Sequence, residues 1–239
     1  MNATVTPAKV PFWEDLLEIF YAPRTVFERR KDSGFWLALI VLVLVMTGLY
    51  YAGRNATQPV FDAEFDRSMV TAQKQNPAMT PDQVEKGRTI MHSFAGVGIT
   101  GYALIAPLLV GLMLWIAGKF VGARQELGAA CMVAVYAFYP RLLDGLLGLL
   151  QCLVLPSDSL TSHYALQIGP ARFVDPDQHG VLIAILGRLD LATIWCTVLL
   201  AIGLSVTGKI TMKNAAIAAG IVWLAGCLLP LWGALRAAG

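Results

Sequence analysis

Between Asp32 and Arg54 the chain carries no Asp, Glu, Lys or Arg, a gap of about 21 residues, and a helix rising 1.5 Å per residue needs about 20 to cross bilayer hydrocarbon. The runs between Arg88 and Lys119 and between Lys213 and Arg236 pass the same test. Each predicts a transmembrane helix. The stretches from about Gly128 to Leu155 and from about Pro176 to Val206 each hold an internal Arg and Asp. Their flanks are too apolar for surface helices, so they are expected to span with polar residues inside. The pattern predicts an all-α integral membrane protein, a bundle of about five transmembrane helices at 34–53, 93–118, 128–155, 177–207 and 214–235.

Local signals refine the boundaries. Asp175–Pro176 reads as the N-cap and first helical residue of the fourth span, and Thr80–Pro81 does the same for a helix leading into the second. The segment 54–92 reads as two short external helices flanking a break at Asn76 and Pro77, the second continuing into the membrane. Ahead of the first span, Phe12, Leu16, Ile19 and Phe20 follow helical spacing among Glu14, Asp15 and Glu18. This predicts a cytoplasmic interfacial helix with its apolar face in lipid and its acids in water. Residues 1–33 form an amphipathic and basic segment, and residues 34–239 the membrane domain.

Short-loop cations set the orientation. Arg24, Arg29, Arg30 and Lys31 precede the first span, Lys119 and Arg124 separate the second from the third, and Lys209 and Lys213 separate the fourth from the fifth. These regions are expected in the cytoplasm, with the amino terminus inside and the carboxyl terminus outside. Arg24, Arg29, Arg30 and Lys31 are expected to face anionic lipid, each worth on the order of 1 kcal/mol.

Composition supports lipid as the solvent: 56% of residues are hydrophobic and 14% charged, against roughly 25% charged in a soluble domain. A net charge of +2, spread along the chain, gives no nucleic-acid surface. Cys131, Cys152, Cys196 and Cys227 sit in apolar stretches without a CxxC pair, so neither disulfide nor metal site is indicated. His92, His163 and His179 lack any hydrolase or phosphate-binding motif around them. No enzyme activity and no cofactor is expected.

The chemistry that remains lies inside the membrane. Arg141 and Asp144, three apart, share one helix face and can pair locally. Arg188 and Asp190, two apart, point about 200° away from each other on a continuous helix and need partners elsewhere. Counted from outer ends at Leu155 and Pro176, all four lie about 16 to 21 Å deep. A nearly neutral cluster joining the two helices is expected, with Asp144–Arg188 or Arg141–Asp190 as its pairs. It serves either as a lock between helices or as a path for a proton, ion or lipid headgroup.

Two blocks carry a resemblance. FWEDLLEIFYAPRTVFERR precedes the first span, with Pro23 after Ala22, and LGRLDLATIWCTVLLAIGLSVTGKITMKNAA follows later, with Leu189, Asp190, Leu191, Trp195, Leu199, Gly203, Lys213 and Ala215. In order and spacing these resemble the bacterial branch of the Yip-domain family, named for proteins that interact with Ypt/Rab GTPases. The resemblance implies a five-helix membrane domain with a cytoplasmic amino terminus. The chain lacks the long amino-terminal region and the aspartate-leucine-tyrosine-glycine-proline motif of eukaryotic relatives, so no Rab-type GTPase is expected as a partner. The expected function is a non-enzymatic multi-pass protein of the bacterial inner membrane that organises membrane lipid or protein partners, either another membrane protein or copies of itself. The alternative is a transporter, channel or lipid-moving protein using the polar layer.

Overall fold

The computed structural model describes residues 11–238, and all its regular elements there are helical. The first ten residues of the amino-terminal segment, and Gly239, lie outside the described residues. Four helices are long and apolar enough to cross a membrane, or five if two shorter helices bent 45° at a short break count as one span.

Two long helices form an antiparallel hairpin. α3 (Trp36–Gln75) and α4 (Pro81–Phe120) have 40 residues each, about 60 Å, twice the hydrocarbon thickness. Both run on beyond the apolar stretch. The two short external helices expected in 54–92 are therefore extensions of the spans themselves. Pro59 lies inside α3 without ending it. Its ring leaves the carbonyl of Asn55 without an amide donor, but Asn55 is exposed, so water can serve instead. At the turn the Thr80 hydroxyl accepts from the Gln83 amide at 3.3 Å, and the Gln83 side chain accepts from the Thr80 amide at 2.9 Å. This reciprocal cap, followed by Pro81 at the first helical position, starts α4 where the sequence places it. Arg88 then clasps Asp66 at 2.6 Å and Asp62 at 3.2 Å across the hairpin.

The third crossing is α5 (Leu127–Ala137) followed by α6 (Pro140–Val154). Every residue from Ala130 to Ala137 is buried. A helix that is apolar all round belongs in the middle of a bundle, and α5 packs between α4 and α9. Pro140 cannot donate to the preceding turn, so the helix breaks at Phe138–Tyr139.

The fourth apolar stretch is the bent pair, α8 (Gly180–Leu186) and α9 (Leu191–Thr207). Its helix starts at Gly180 rather than Pro176. The Asp175 carboxylate accepts from the amide of Asp177 at 2.9 Å, closing a turn in place of a helix cap. Gly187 to Asp190 separate α8 from α9, so Arg188 and Asp190 lie at a break instead of on one continuous helix. α10 (Met212–Ala238) completes the bundle against α9, α8 and α4.

The amino-terminal segment departs from its expected surface position. α1 (Phe12–Glu18) and α2 (Pro23–Arg30) fold back on each other at Ile19–Ala22, and α2 packs on α9. Ile19, Val26 and Phe27 have no exposed surface, while Trp13 and Leu17 point outward. Around the bundle Leu44, Phe94 and Leu229 are 65%, 62% and 82% exposed, part of an apolar girdle far larger than a soluble monomer shows. Lipid covers that girdle, and the protein is an integral membrane protein.

Candidate functional site

The two helix breaks face each other. α5–α6 and α9 run antiparallel, with Val133 against Gly203 and the Arg141 guanidinium donating to the Thr193 hydroxyl at 3.0 Å. Asp190, 2% exposed, caps α9 by accepting from the Thr193 amide at 2.8 Å. Thr193 thus meets Arg141 through its hydroxyl and Asp190 through its amide. Cys196, one turn further along, lies within electrostatic reach of Arg141, Asp144, Arg188 and Asp190 together.

No ion pair joins any two of these four charges. The Asp144–Arg188, Arg141–Asp190 and Arg141–Asp144 pairs expected from the sequence are not made. The break at Gly187–Asp190 turns the Asp190 carboxylate onto an α9 amide, and Arg141 donates to Thr193 rather than to Asp144. The Nε atoms of Arg141 and Arg188 are buried without a hydrogen-bond partner. α9 has 17 residues, about 25 Å. Measured from its end at Thr207, beside exposed Lys209, Arg141 stands about 21 Å up, and Arg188 lies beyond 25 Å. The charges therefore lie at the end of α9 away from Lys209.

Two cavities flank this layer. One of about 260 Å³ lies between α3, α6 and α7 (His163–Leu166), lined by Thr57, Asp144, His163 and Gln167 among others. It reaches only Asp144 of the four. The other, about 290 Å³, is an apolar groove between α9 and α10 that ends at Leu189 and Trp223. The Trp223 indole donates to the Arg188 carbonyl at 3.1 Å. The Arg188 guanidinium lies over Gly226, where an added Cβ would come within 2.7 Å of it. Trp223, Gly226 and Thr193 escape sequence reasoning because they join the site only through the bend and the α9–α10 packing.

Of the cations before the first span, Arg29 and Arg30 face inward. Arg29 bonds Asp15 and Glu18 at 2.6 Å each, and Arg30 bonds Asp15 at 2.5 Å. Burial works against the Arg29 charge, but Glu18 and Asp15 more than offset it and hold its pKa up. Arg24 pairs with Glu28 in the open, and Lys31 is exposed at the end of α2. Of the four cations expected to face lipid, only Arg24 and Lys31 are exposed, because Asp15 draws the two central arginines into the fold.

The residues that carry the resemblance have structural places. Pro23 is the first residue of α2. Gly203 lets α9 approach Val133 and Phe27, where a Cβ would clash. Trp195 packs against the main core. A family model described as Yip1 domain matches residues 17–234. The chain belongs to this family. The membrane protein YknW of Bacillus subtilis (strain 168) is 27% identical over 214 residues, covering 87% of this chain and 84% of the relative. No solved structure matches. In this Yip1 domain no group of three or more His, Cys, Asp or Glu side chains could hold a metal among the described residues.

Proposed function

We propose that this Yip1-domain protein is a non-enzymatic organiser of membrane phospholipid in a bacterial inner membrane, with α1 and α2 on the cytoplasmic side and the α3–α4 hairpin outside. The supporting observation is the polar layer. Two guanidiniums stand among the apolar helices without a carboxylate partner, and an unpaired charge at membrane depth costs several kcal/mol or draws a counter-ion. Phospholipid supplies that counter-ion from within the bilayer, and guanidinium matches phosphate with two parallel hydrogen bonds. The orientation rests on Lys119, Arg124, Lys209 and Lys213, which share the end where α1 and α2 pack.

The test is the lipid that stays with the protein. Wild type extracted into polymer discs is expected to carry anionic phospholipid above its fraction in the source membrane. A composition equal to the bulk membrane rejects the reading.

A second reading, conduction through the polar layer, is favoured by the cavity that brings Asp144 to the hairpin side. Flux or lipid scrambling in proteoliposomes by wild type, lost in Asp190→Asn and Asp144→Asn, supports it. Identical traces from protein-free vesicles remove it.

A further inference from the structure

The cavity between α3, α6 and α7 has on its wall a carboxylate with nothing to pair with. Asp144 lines it from α6 and makes neither a hydrogen bond nor an ion pair among the described residues. Its neighbour one turn back, Arg141, donates to Thr193 on α9 instead. The other polar side chains of the wall add acceptors. The Thr57 hydroxyl donates to the Gly53 carbonyl at 3.2 Å, so only its lone pairs are left. The Glu64 carboxylate accepts from His163 Nδ1, so the neutral imidazole keeps Nε2 as an acceptor. The Oε1 atom of Gln167 is buried without a partner. Neither Lys nor Arg lines the cavity.

The rest of the wall is apolar, with Phe61, Leu149 and Leu166 among it, around about 260 Å³. That is the space of about nine waters at roughly 30 Å³ each, room for a small organic molecule and too much for a bare ion. An anion would meet Asp144 with like charge, and a neutral alcohol would leave that charge uncompensated. Acceptors around one carboxylate, set in apolar walls, match a cation that donates hydrogen bonds and carries hydrocarbon. We propose that this cavity binds the primary ammonium group of a small organic amine, with the ammonium on Asp144 and the carbon body against Phe61, Leu149 and Leu166. The same group occurs on free amines and on the ethanolamine headgroup of a phospholipid, and the experiment separates the two. The site stands apart from the anionic-lipid reading, which rests on Arg141 and Arg188.

The probe is para-fluorophenethylammonium, titrated by fluorine NMR into phosphatidylcholine discs holding the full chain, with protein-free discs subtracted. Phosphatidylcholine carries a quaternary ammonium and has no N–H to donate. Wild type is expected to bind the probe saturably, and the neutral para-fluorophenethyl alcohol about tenfold more weakly or worse. Asp144→Asn keeps the shape and removes the charge. It should weaken the amine about tenfold or more, the loss expected for a charge-assisted hydrogen bond, with melting temperature unchanged. An added Cβ at Gly148 stands 3.9 Å from Leu166, an ordinary contact, so Gly148→Ala narrows the cavity without a clash. It should weaken the fluorophenethyl probe more than methylammonium, read by competition. Loss of the probe signal when phosphatidylethanolamine replaces phosphatidylcholine assigns the natural group to a lipid headgroup, and an unchanged isotherm assigns it to a free amine.

The absence of a saturable phase overturns the site, as does an Asp144→Asn isotherm superimposed on wild type. Equal affinity for the alcohol leaves only an apolar cavity, and displacement by sodium as strong as by methylammonium names a bare cation; either rejects the ammonium. Gly148→Ala without effect on either amine places binding elsewhere and rejects the site. Should Asp144→Asn fail to fold, the alcohol and Gly148→Ala comparisons decide. Any of these failures leaves the lipid-organising reading to its own test, the anionic lipid retained by discs of the wild type.

Discussion

Asp15, with no exposed surface, accepts hydrogen bonds from Arg29 and Arg30 at once, joining α1 to α2 across a tight reversal. Removing the acid leaves Arg29 with Glu18 alone and takes a carboxylate from Arg30, in a pocket where both arginine side chains are 23% exposed. Breaking a buried pair costs about 3 to 5 kcal/mol, and partial exposure together with the remaining Arg29–Glu18 pair lowers that below the range. Asp15→Ala should therefore lose about 2 to 3 kcal/mol of stability, seen as a lower melting temperature in detergent. A melting temperature equal to wild type would show that the clamp contributes nothing.

Glu64 and His163 tie the far extension of α3 to the turn after α6. The carboxylate accepts from the His163 amide at 3.1 Å and meets its ring Nδ1 at 2.9 Å. Glu64 is 28 residues beyond Trp36, about 42 Å along the helix and outside the hydrocarbon. Burial pushes its pKa up, but His163 and then Arg67 outweigh burial and hold it below the ordinary glutamate range. A depressed pKa gives stability that is fully present above about pH 4.3, the unfolded value, and is lost as pH falls through the folded value. Amide hydrogen exchange of residues 160–167 should rise in wild type below about pH 4.3, and Glu64→Gln should flatten that rise. The same acid-dependent rise in Glu64→Gln would assign it to another group.

What the sequence makes legible depends on how local its cause is. The long charge-free runs announce the spans because hydropathy is summed along the chain, and the cap at Thr80 is legible because its partner, Gln83, is three residues away. The inward turn of Asp15 is not. It depends on α2 folding back to bring Arg29 and Arg30 fourteen and fifteen residues along, whereas a helical wheel of α1 alone puts all its acids in water. Arg188 and Asp190 mislead for a related reason. Their angular separation assumes a continuous helix, and the break that cancels it is stabilised by Thr193, Tyr164 and α10. Gly187 shows this: a Cβ there would clash with the Tyr164 ring, a contact no local pattern carries.

Asp190 tests whether its buried carboxylate acts through charge or through its hydrogen bond to the Thr193 amide. A lost N-cap costs about 1 kcal/mol and up to about 2, and asparagine caps as well as aspartate. Asp190→Ala should lower stability by about 1 to 2 kcal/mol, while Asp190→Asn should lose less than half as much. Equal losses in both variants would show that the negative charge facing Arg141, rather than the cap, sustains the bend.

Gly111 and Gly101 lie on the same helix with opposite surroundings. A Cβ at Gly111 would stand 2.7 Å from the Cα of Cys131, backbone that can move only if α4 and α5 separate, whereas a Cβ at Gly101 meets nothing within 4 Å. Close helix approach through small residues is the main packing device available where lipid removes the hydrophobic drive between helices. Gly111→Ala should cost about 1 to 3 kcal/mol from overpacking, less the helix-propensity gain of about 1. Gly101→Ala receives the gain alone, so its melting temperature should equal or exceed wild type while that of Gly111→Ala falls. If both substitutions raised the melting temperature, α4 and α5 could not be in backbone contact at this point, and the central position of α5 would have to be abandoned.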